Sequence, residues 1–173
     1  MRGDIMKFYI AKIAKQNGAS LDVKVSEKIQ SLQDYDDGYV FPGEVKVEGV
    51  LTNIGEYINM NVVASTTWET ECARCLLPVT GDVEITVDEN FRQVRSADEE
   101  QQEVDEYTFD GDWLIPDRAI AGAIISSLSF VQVCKENCKG LCPDCGTDLN
   151  KNQCSCKENK INPAMEKLKN FKV

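Results

Sequence analysis

The chain contains no histidine. Acid–base and nucleophilic schemes that depend on an imidazole are therefore closed to it. Any metal it binds must be held by thiolates, carboxylates or water. Long apolar runs are also missing. The longest, Ala119 to Ile125, is broken by Gly122 and falls far short of the roughly 20 residues a bilayer-crossing helix needs. Nothing at the N-terminus reads as a secretory leader, so a soluble, cytoplasmic protein with reduced thiols is expected. Positive charge is scarce, with 19 Lys and Arg against 29 Asp and Glu, a net −10. Residues 1–133 carry 11 cations against 24 anions, or −13, and residues 134–173 carry 8 against 5, or +3. An acidic body argues against indiscriminate polyanion binding, because phosphate contacts need positive potential. The tail is the only segment able to supply it. No glycine-rich phosphate loop and no internal repeat is present.

What the chain does have is cysteine. Eight fall into four close pairs, Cys72/Cys75, Cys134/Cys138, Cys142/Cys145 and Cys154/Cys156, with six of the eight inside 23 positions. In Cys142-Pro-Asp-Cys145-Gly146, two residues separate the thiols and a glycine follows. A tight turn of that form points both sulfurs at one ion. Zn²⁺ takes four such ligands in a tetrahedron, with sulfur at about 2.3 Å. Structural zinc, one or two ions, is the expectation. Disulfides fit poorly with a reducing compartment, and a redox dithiol at Cys72–Cys75 has no βαβ pattern around it. An iron–sulfur cluster also takes four cysteines.

Four pairs combine into two four-ligand sites in three ways. Cys142, Cys145, Cys154 and Cys156 are favoured as one site, because a short loop costs little entropy to close. The remainder, Cys72, Cys75, Cys134 and Cys138, would then staple distant segments together. A leftover dithiol pair beside a single site is the rival arrangement.

Around the cysteines the pattern reads as α+β: an antiparallel meander, curled into a partial barrel, with one main helix and a C-terminal Cys-rich zinc-knuckle segment. Leu21–Val25 alternates apolar and charged, after Phe8, Ile10 and Ile13, which suit a strand or a helical turn. Asn17-Gly18 marks a turn, and Asp34–Gly38 is expected to be a mobile polar loop. Val45–Leu51 alternates with period two, and Asn53-Ile-Gly55 suggests a hairpin turn. Tyr57–Thr67 reads as the returning strand and Thr67–Glu71 as a third strand running into the Cys72–Cys75 knuckle. Gly81–Phe91 alternates again, while Ser96–Glu106 is acidic and expected to be disordered. Pro116 starts a helix over 116–130, with Ile120, Ile124, Ile125 and Leu128 on its core-facing side. Asn162-Pro163 begins a short last helix with Met165, Leu168 and Phe171 on one face. The expected division is a β-rich body over 1–133 and a metal-binding segment over 134–173.

The succession of Cys72-Ala-Arg-Cys75-Leu after a meander, an acidic gap, a Leu/Ile helix and Cys138-Lys-Gly-Leu-Cys142-Pro-Asp-Cys145-Gly-Thr-Asp-Leu-Asn150 resembles the YceD family, the large ribosomal RNA subunit accumulation proteins. The likeness runs from about Gly43 to the end. It departs before Cys134, where the family commonly has a Leu-Pro segment and this chain has Leu128-Ser-Phe-Val-Gln-Val. The resemblance implies a bacterial cytoplasmic protein connected with 23S ribosomal RNA accumulation. With no acid, base or nucleophile in a constrained setting, a non-enzymatic accessory factor without a small-molecule substrate is expected. Ribosomal RNA or a large-subunit precursor is the expected partner, met through Arg74, Lys135, Lys139, Lys151 and Lys157. Arg74 could instead neutralise the neighbouring thiolates. The alternative is a protein-interaction module whose acidic body binds a basic ribosomal protein, with no direct RNA contact and no membrane.

Overall fold

A computed structural model describes residues 5–35, 37–94 and 107–156. Its elements in chain order are β1 (Phe8–Tyr9), α1 (Ala11–Ala14), β2 (Ser20–Glu27), α2 (Gln30–Gln33), β3 (Tyr39–Val40) and β4 (Val45–Asn53). They continue with β5 (Tyr57–Glu71), β6 (Pro78–Gln93), β7 (Tyr107–Phe109), β8 (Trp113–Leu114) and α3 (Asp117–Ser127). The fold is α+β with a mostly antiparallel sheet, ordered β2-β4-β5-β6-β7, and β3 pairs beside it with β5. The sheet is open among the described residues, so the expected curl into a barrel does not reach closure.

The long hairpin β5–β6 is the spine. Ile58, Met60, Val62, Ala64, Thr66 and Trp68 alternate inward and are buried, as period-two patterning requires of a sheet with one wet face. The expected break at Thr67 is absent. Thr66, Thr67 and Trp68 are all good strand formers, and the ladder runs unbroken from Tyr57↔Arg92 to Glu71↔Pro78. Gly81 sits opposite Trp68. A Cβ there would come within 2.4 Å of the indole, so only glycine lets the ring lie across its neighbour strand. Asn53 turns the β4–β5 hairpin by accepting the Gly55 N–H at 2.8 Å, with Gly55 at φ 105.

One pairing is parallel, Phe91–Gln93 with Tyr107–Phe109. It joins the sheet only at the last residue of the predicted Gly81–Phe91 strand. The acidic stretch expected to be disordered, Ser96–Glu106, and the C-terminal helix expected from Asn162 lie outside the described residues.

The predicted helix over 116–130 is shorter, at Asp117–Ser127. Ser127 donates its hydroxyl to the Ile124 carbonyl at 2.7 Å, and Leu128 turns extended at φ −76, ψ 144. Such side-chain bonds compete with continued helix. Phe130 is therefore fully exposed. Ile120 and Ile124 are buried in the core, with Ile125 and Leu128 packed at its margin.

Asp117, in the first turn of α3, is buried, and its Oδ1 has no hydrogen-bond partner. Desolvation, and then the charge of Glu27, push its carboxyl up to about 6 against the opposing pull of the Met6 N–H. A raised carboxyl binds its proton more tightly folded than unfolded. It therefore favours the folded state below about pH 4 and increasingly opposes it as pH rises to about 6. Relative to wild type, Asp117→Asn should gain about 1 kcal/mol between pH 4 and pH 7, the figure being reduced for partial solvation. Denaturant melts of both proteins across that range measure the gain. Parallel curves would contradict the assignment.

Candidate metal centre

The cysteines assemble into two groups, Cys72/Cys75/Cys134/Cys138 and Cys142/Cys145/Cys154/Cys156, and within each group all sulfurs lie within 4.8 Å of one another. This is the pairing that loop length favoured. The first group is built at the β5–β6 turn. Cys72 donates its N–H to Leu77 at 2.8 Å, and Leu76 donates to the Cys72 carbonyl at 2.9 Å. Leu76 is thereby held at φ 60, a left-handed conformation that costs a side-chain-bearing residue roughly 1–2 kcal/mol.

The second group repeats this turn. Cys142 donates to Thr147 at 2.9 Å, Gly146 donates to Cys142 at 2.8 Å, and Gly146 sits at φ 71. The two Cys-x-x-Cys turns are thus the same backbone device, with glycine at the left-handed position in one and leucine in the other.

A tetrahedron with 2.3 Å arms has sulfurs about 3.8 Å apart. Cys72 and Cys138 are separated by 3.9 Å and Cys75 and Cys134 by 3.6 Å, far beyond the 2.05 Å or so of a disulfide. The spacing suits an ion. Both groups could hold zinc, which would keep the thiolates together; four bare thiolates cannot share so small a volume.

The protonation preferences of the free thiols reflect that crowding. The backbone N–H of Cys134, 3.4 Å from the Cys72 sulfur, holds Cys72 down at about 6. Cys134 is exposed as a residue, but its sulfur is packed among three others. Desolvation, followed by the hydrogen bond shared with Cys75, pushes it up to about 12. In the second group the hydroxyl and then the N–H of Thr147 lower Cys145 to about 6. The hydrogen bond with Cys145 raises Cys156 to about 12. In the first group Cys138 is also lowered and Cys75 raised, and in the second Cys154 is raised, so thiols of opposite preference share each site and a bound dication would reconcile them.

Arg74 lies where the two halves of the first group meet. Its Nη1 donates to the carbonyls of Glu136 at 3.2 Å and Cys138 at 2.9 Å, so the guanidinium clamps the second knuckle onto the first. Gly140 completes the junction. At φ 76 it lies where a Cβ would stand 2.8 Å from the Arg74 carbonyl, and that carbonyl accepts the Leu141 N–H at 3.0 Å. Lys135 and Lys139 are exposed, and Lys151 pairs with Asp148 at 3.5 Å. Lys157 lies outside the described residues.

Asn150 is the bridging residue that spacing alone did not single out. It sits in the loop of the second group, yet its Nδ2 donates to the Cys138 sulfur of the first at 3.4 Å. Its Oδ1 accepts the Lys139 N–H at 2.9 Å, and Asp148 fixes it by accepting both its N–H and its Nδ2 at 2.9 Å. A polar residue that closes a Gly-x-x-Leu-Asn motif just after a metal turn is the signal that could have revealed it.

Fold and site together define an α+β protein with two four-thiol centres fastened to the turn of a long hairpin. Residues 60–172 match the family described as large ribosomal RNA subunit accumulation protein YceD, and the chain belongs to that family. It is 37% identical over 115 residues to uncharacterized proteins of Mycobacterium bovis and Mycobacterium tuberculosis, covering 66% of this chain and 54% of theirs. An uncharacterized protein of Mycobacterium leprae is 36% identical over 80 residues, 46% of this chain and 37% of the relative. The chain thus spans about half the length of the mycobacterial relatives. No solved structure matches.

Two expected outcomes test the centre. Zinc content of two ions per chain should fall to one in Cys72→Ser/Cys75→Ser and to one in Cys142→Ser/Cys145→Ser. A single ion in the wild type would refute the two-centre arrangement. Asn150→Ala should weaken zinc at the first group by about tenfold or more in competition with a chelator, since ligand-supporting groups contribute on that scale. Weakening confined to the second group, read by cobalt–thiolate absorbance in the paired serine variants, would remove Asn150 from the first.

Proposed function

We propose that the protein is a non-enzymatic accessory factor for 23S ribosomal RNA accumulation and large ribosomal subunit biogenesis, acting in the cytoplasm and stabilised by structural zinc at both four-thiol groups. Family membership carries this reading. Residues 1–133 act as the body and residues 134–173 as its metal-binding segment, joined where Cys134 and Cys138 meet Cys72 and Cys75. Ribosomal RNA or a large-subunit precursor is met through the cations around the knuckles: Lys135, Lys139, Lys151 and Lys157, with Arg74 at the junction. Turns locked by metal hold lysines more firmly than free loops, which lowers the entropy lost on binding. A small-molecule substrate is not part of this reading, nor is a membrane: no helix among the described residues is long and apolar enough to cross one.

A second reading is supported by the wet face of the sheet. Asp82, Glu84 and Asp88 alternate outward along β6 and are exposed, and Asp88 accepts from Asn59 at 2.8 Å and Asn61 at 3.2 Å. That face suits a basic ribosomal protein bound without RNA contact.

Salt separates the readings, because phosphate contacts lose affinity steeply as salt rises. Arg74 is unsuitable for charge reversal, since its loss would open the knuckle. Lys135→Glu/Lys139→Glu/Lys151→Glu should abolish co-sedimentation with large-subunit precursors while zinc content stays at the wild-type value. Undiminished association would overturn the basic surface. Salt-insensitive binding that requires Asp82 and Glu84 would favour the acidic face.

A further inference from the structure

β1 and β8 form a small antiparallel ribbon apart from the main sheet, with Phe8 opposite Leu114 and Tyr9 opposite Trp113. Its inner side, Met6, Phe8 and Leu114, is buried in the core. The Ile10 N–H donates to the Asp112 carbonyl at 2.9 Å and closes one end. The ribbon is therefore anchored, and its outer side is held in one arrangement. That outer side is apolar: Ile5 and Ile115 are each 51% exposed, Tyr9 49% and Trp113 45%. The two rings lie 5.0 Å apart at 56°, and Lys7 places its Nζ 5.1 Å from the centroid of Trp113.

Exposed aromatics held together on a rigid strand pair mark a contact surface, since scattered single apolar residues are the norm elsewhere. Charge decides what the surface takes. Lys7, Lys12, Lys15 and Arg118 lie on or beside the ribbon in the chain, four cations against Asp110, Asp112 and the buried Asp117. This is a local surplus of cations on a chain of net −10. Rings with adjacent lysines are what single-stranded nucleic acid requires: π-faces for bases and ammonium groups for phosphates.

We propose that the Tyr9–Trp113 ribbon is a stacking platform for unpaired RNA bases, with Lys7 and Lys12 meeting the flanking phosphates. It rests on the ribosomal RNA reading above and supplies a second contact, distinct from the knuckle lysines. Half of it, β1, lies outside the residues that match the family. Lys7, already over the indole, moves off the ring to a phosphate as a base takes its place.

The test uses the full chain and decamers of uridylate and adenylate. Trp68→Phe leaves Trp113 as the one tryptophan, the chain having two. Its emission should be quenched as either decamer binds. Tyr9→Ala/Trp113→Ala should weaken binding by about tenfold or more, and Tyr9→Phe/Trp113→Phe should keep it within about twofold, since any ring offers a π-face. Lys7→Ala should lower the slope of log affinity against log salt by about one.

Binding that leaves Trp113 emission unchanged, or that survives loss of both rings, overturns the platform and leaves the biogenesis reading in place. Failure of the wild type to bind either decamer, together with loss of precursor association in Tyr9→Ala/Trp113→Ala, makes the ribbon a protein-docking face and also overturns the proposal. Failure of the wild type to associate with precursors at all would instead strike the biogenesis reading. Should the alanine pair misfold, the emission experiment and the phenylalanine pair still decide the outcome.

Discussion

Four sulfurs drawn from two segments about sixty residues apart set the constraint on which the rest depends. Cys72 lies 62 residues from Cys134 and 66 from Cys138, and Cys75 lies 59 from Cys134. Closing a loop of that length costs entropy before any contact rewards it. The enclosed chain includes β6, β7, β8 and α3, so a shared ion would fix both ends of the segment that supplies half the spine and the main helix. Hydrogen bonds reinforce the closure: the Ala73 N–H donates to the Gln132 carbonyl at 2.9 Å, and the Tyr39 hydroxyl donates to the Ser129 carbonyl at 2.6 Å. Metal at this group would therefore act on the fold of the body as well as on the tail.

The second group bears on the first through its loop. Its loop is short, and its thiols are more exposed, so it organises few residues of its own. Its effect lies in what the loop presents. Leu149 donates to Gly140 at 3.0 Å, and Asn150 reaches both Lys139 and the Cys138 sulfur. An ion in the second group would order the residues that support the first and so would couple the two centres through the hydrogen bonds that straddle them.

Much of this was legible in the sequence, for identifiable reasons. Period-two alternation survives wherever one face of a strand is wet, which is why Val45–Leu51 and Gly81–Phe91 read correctly. Thiol spacing and loop length favoured the grouping of sulfurs that the structure brings together. What escaped was non-local or lacked a composition signal. The pairing of Phe8–Tyr9 with Trp113–Leu114 joins two short segments more than a hundred residues apart, and no local pattern announces a two-residue strand. The end of α3 was missed because apolar residues continue to Phe130 while Ser127 diverts the backbone. Leu76 was invisible as a left-handed position, since glycine is the usual mark of one, and only its twin at Gly146 carries that mark. Arg74 was read for its charge, and charge alone did not announce that its Nη1 donates to two carbonyls.

The charge distribution takes on a different meaning once the sulfurs are grouped. Four thiolates around one Zn²⁺ leave about −2 at each centre, so two loaded centres would outweigh the +3 of residues 134–173. Lys135, Lys139 and Lys151 would then serve partly as counter-charges to the metal clusters they flank. Polyanion affinity from the knuckle region alone would be modest and strongly screened. On the proposed reading, an acidic protein that meets RNA would gain more from surfaces whose attraction does not depend on net charge. Base stacking on Tyr9 and Trp113 is attraction of that kind, because it needs only π-faces and a lysine or two to seat the backbone. Rigid cations at the knuckles and exposed rings on the ribbon would thus be complementary contacts, the first limited by the thiolates beside them and the second largely independent of them.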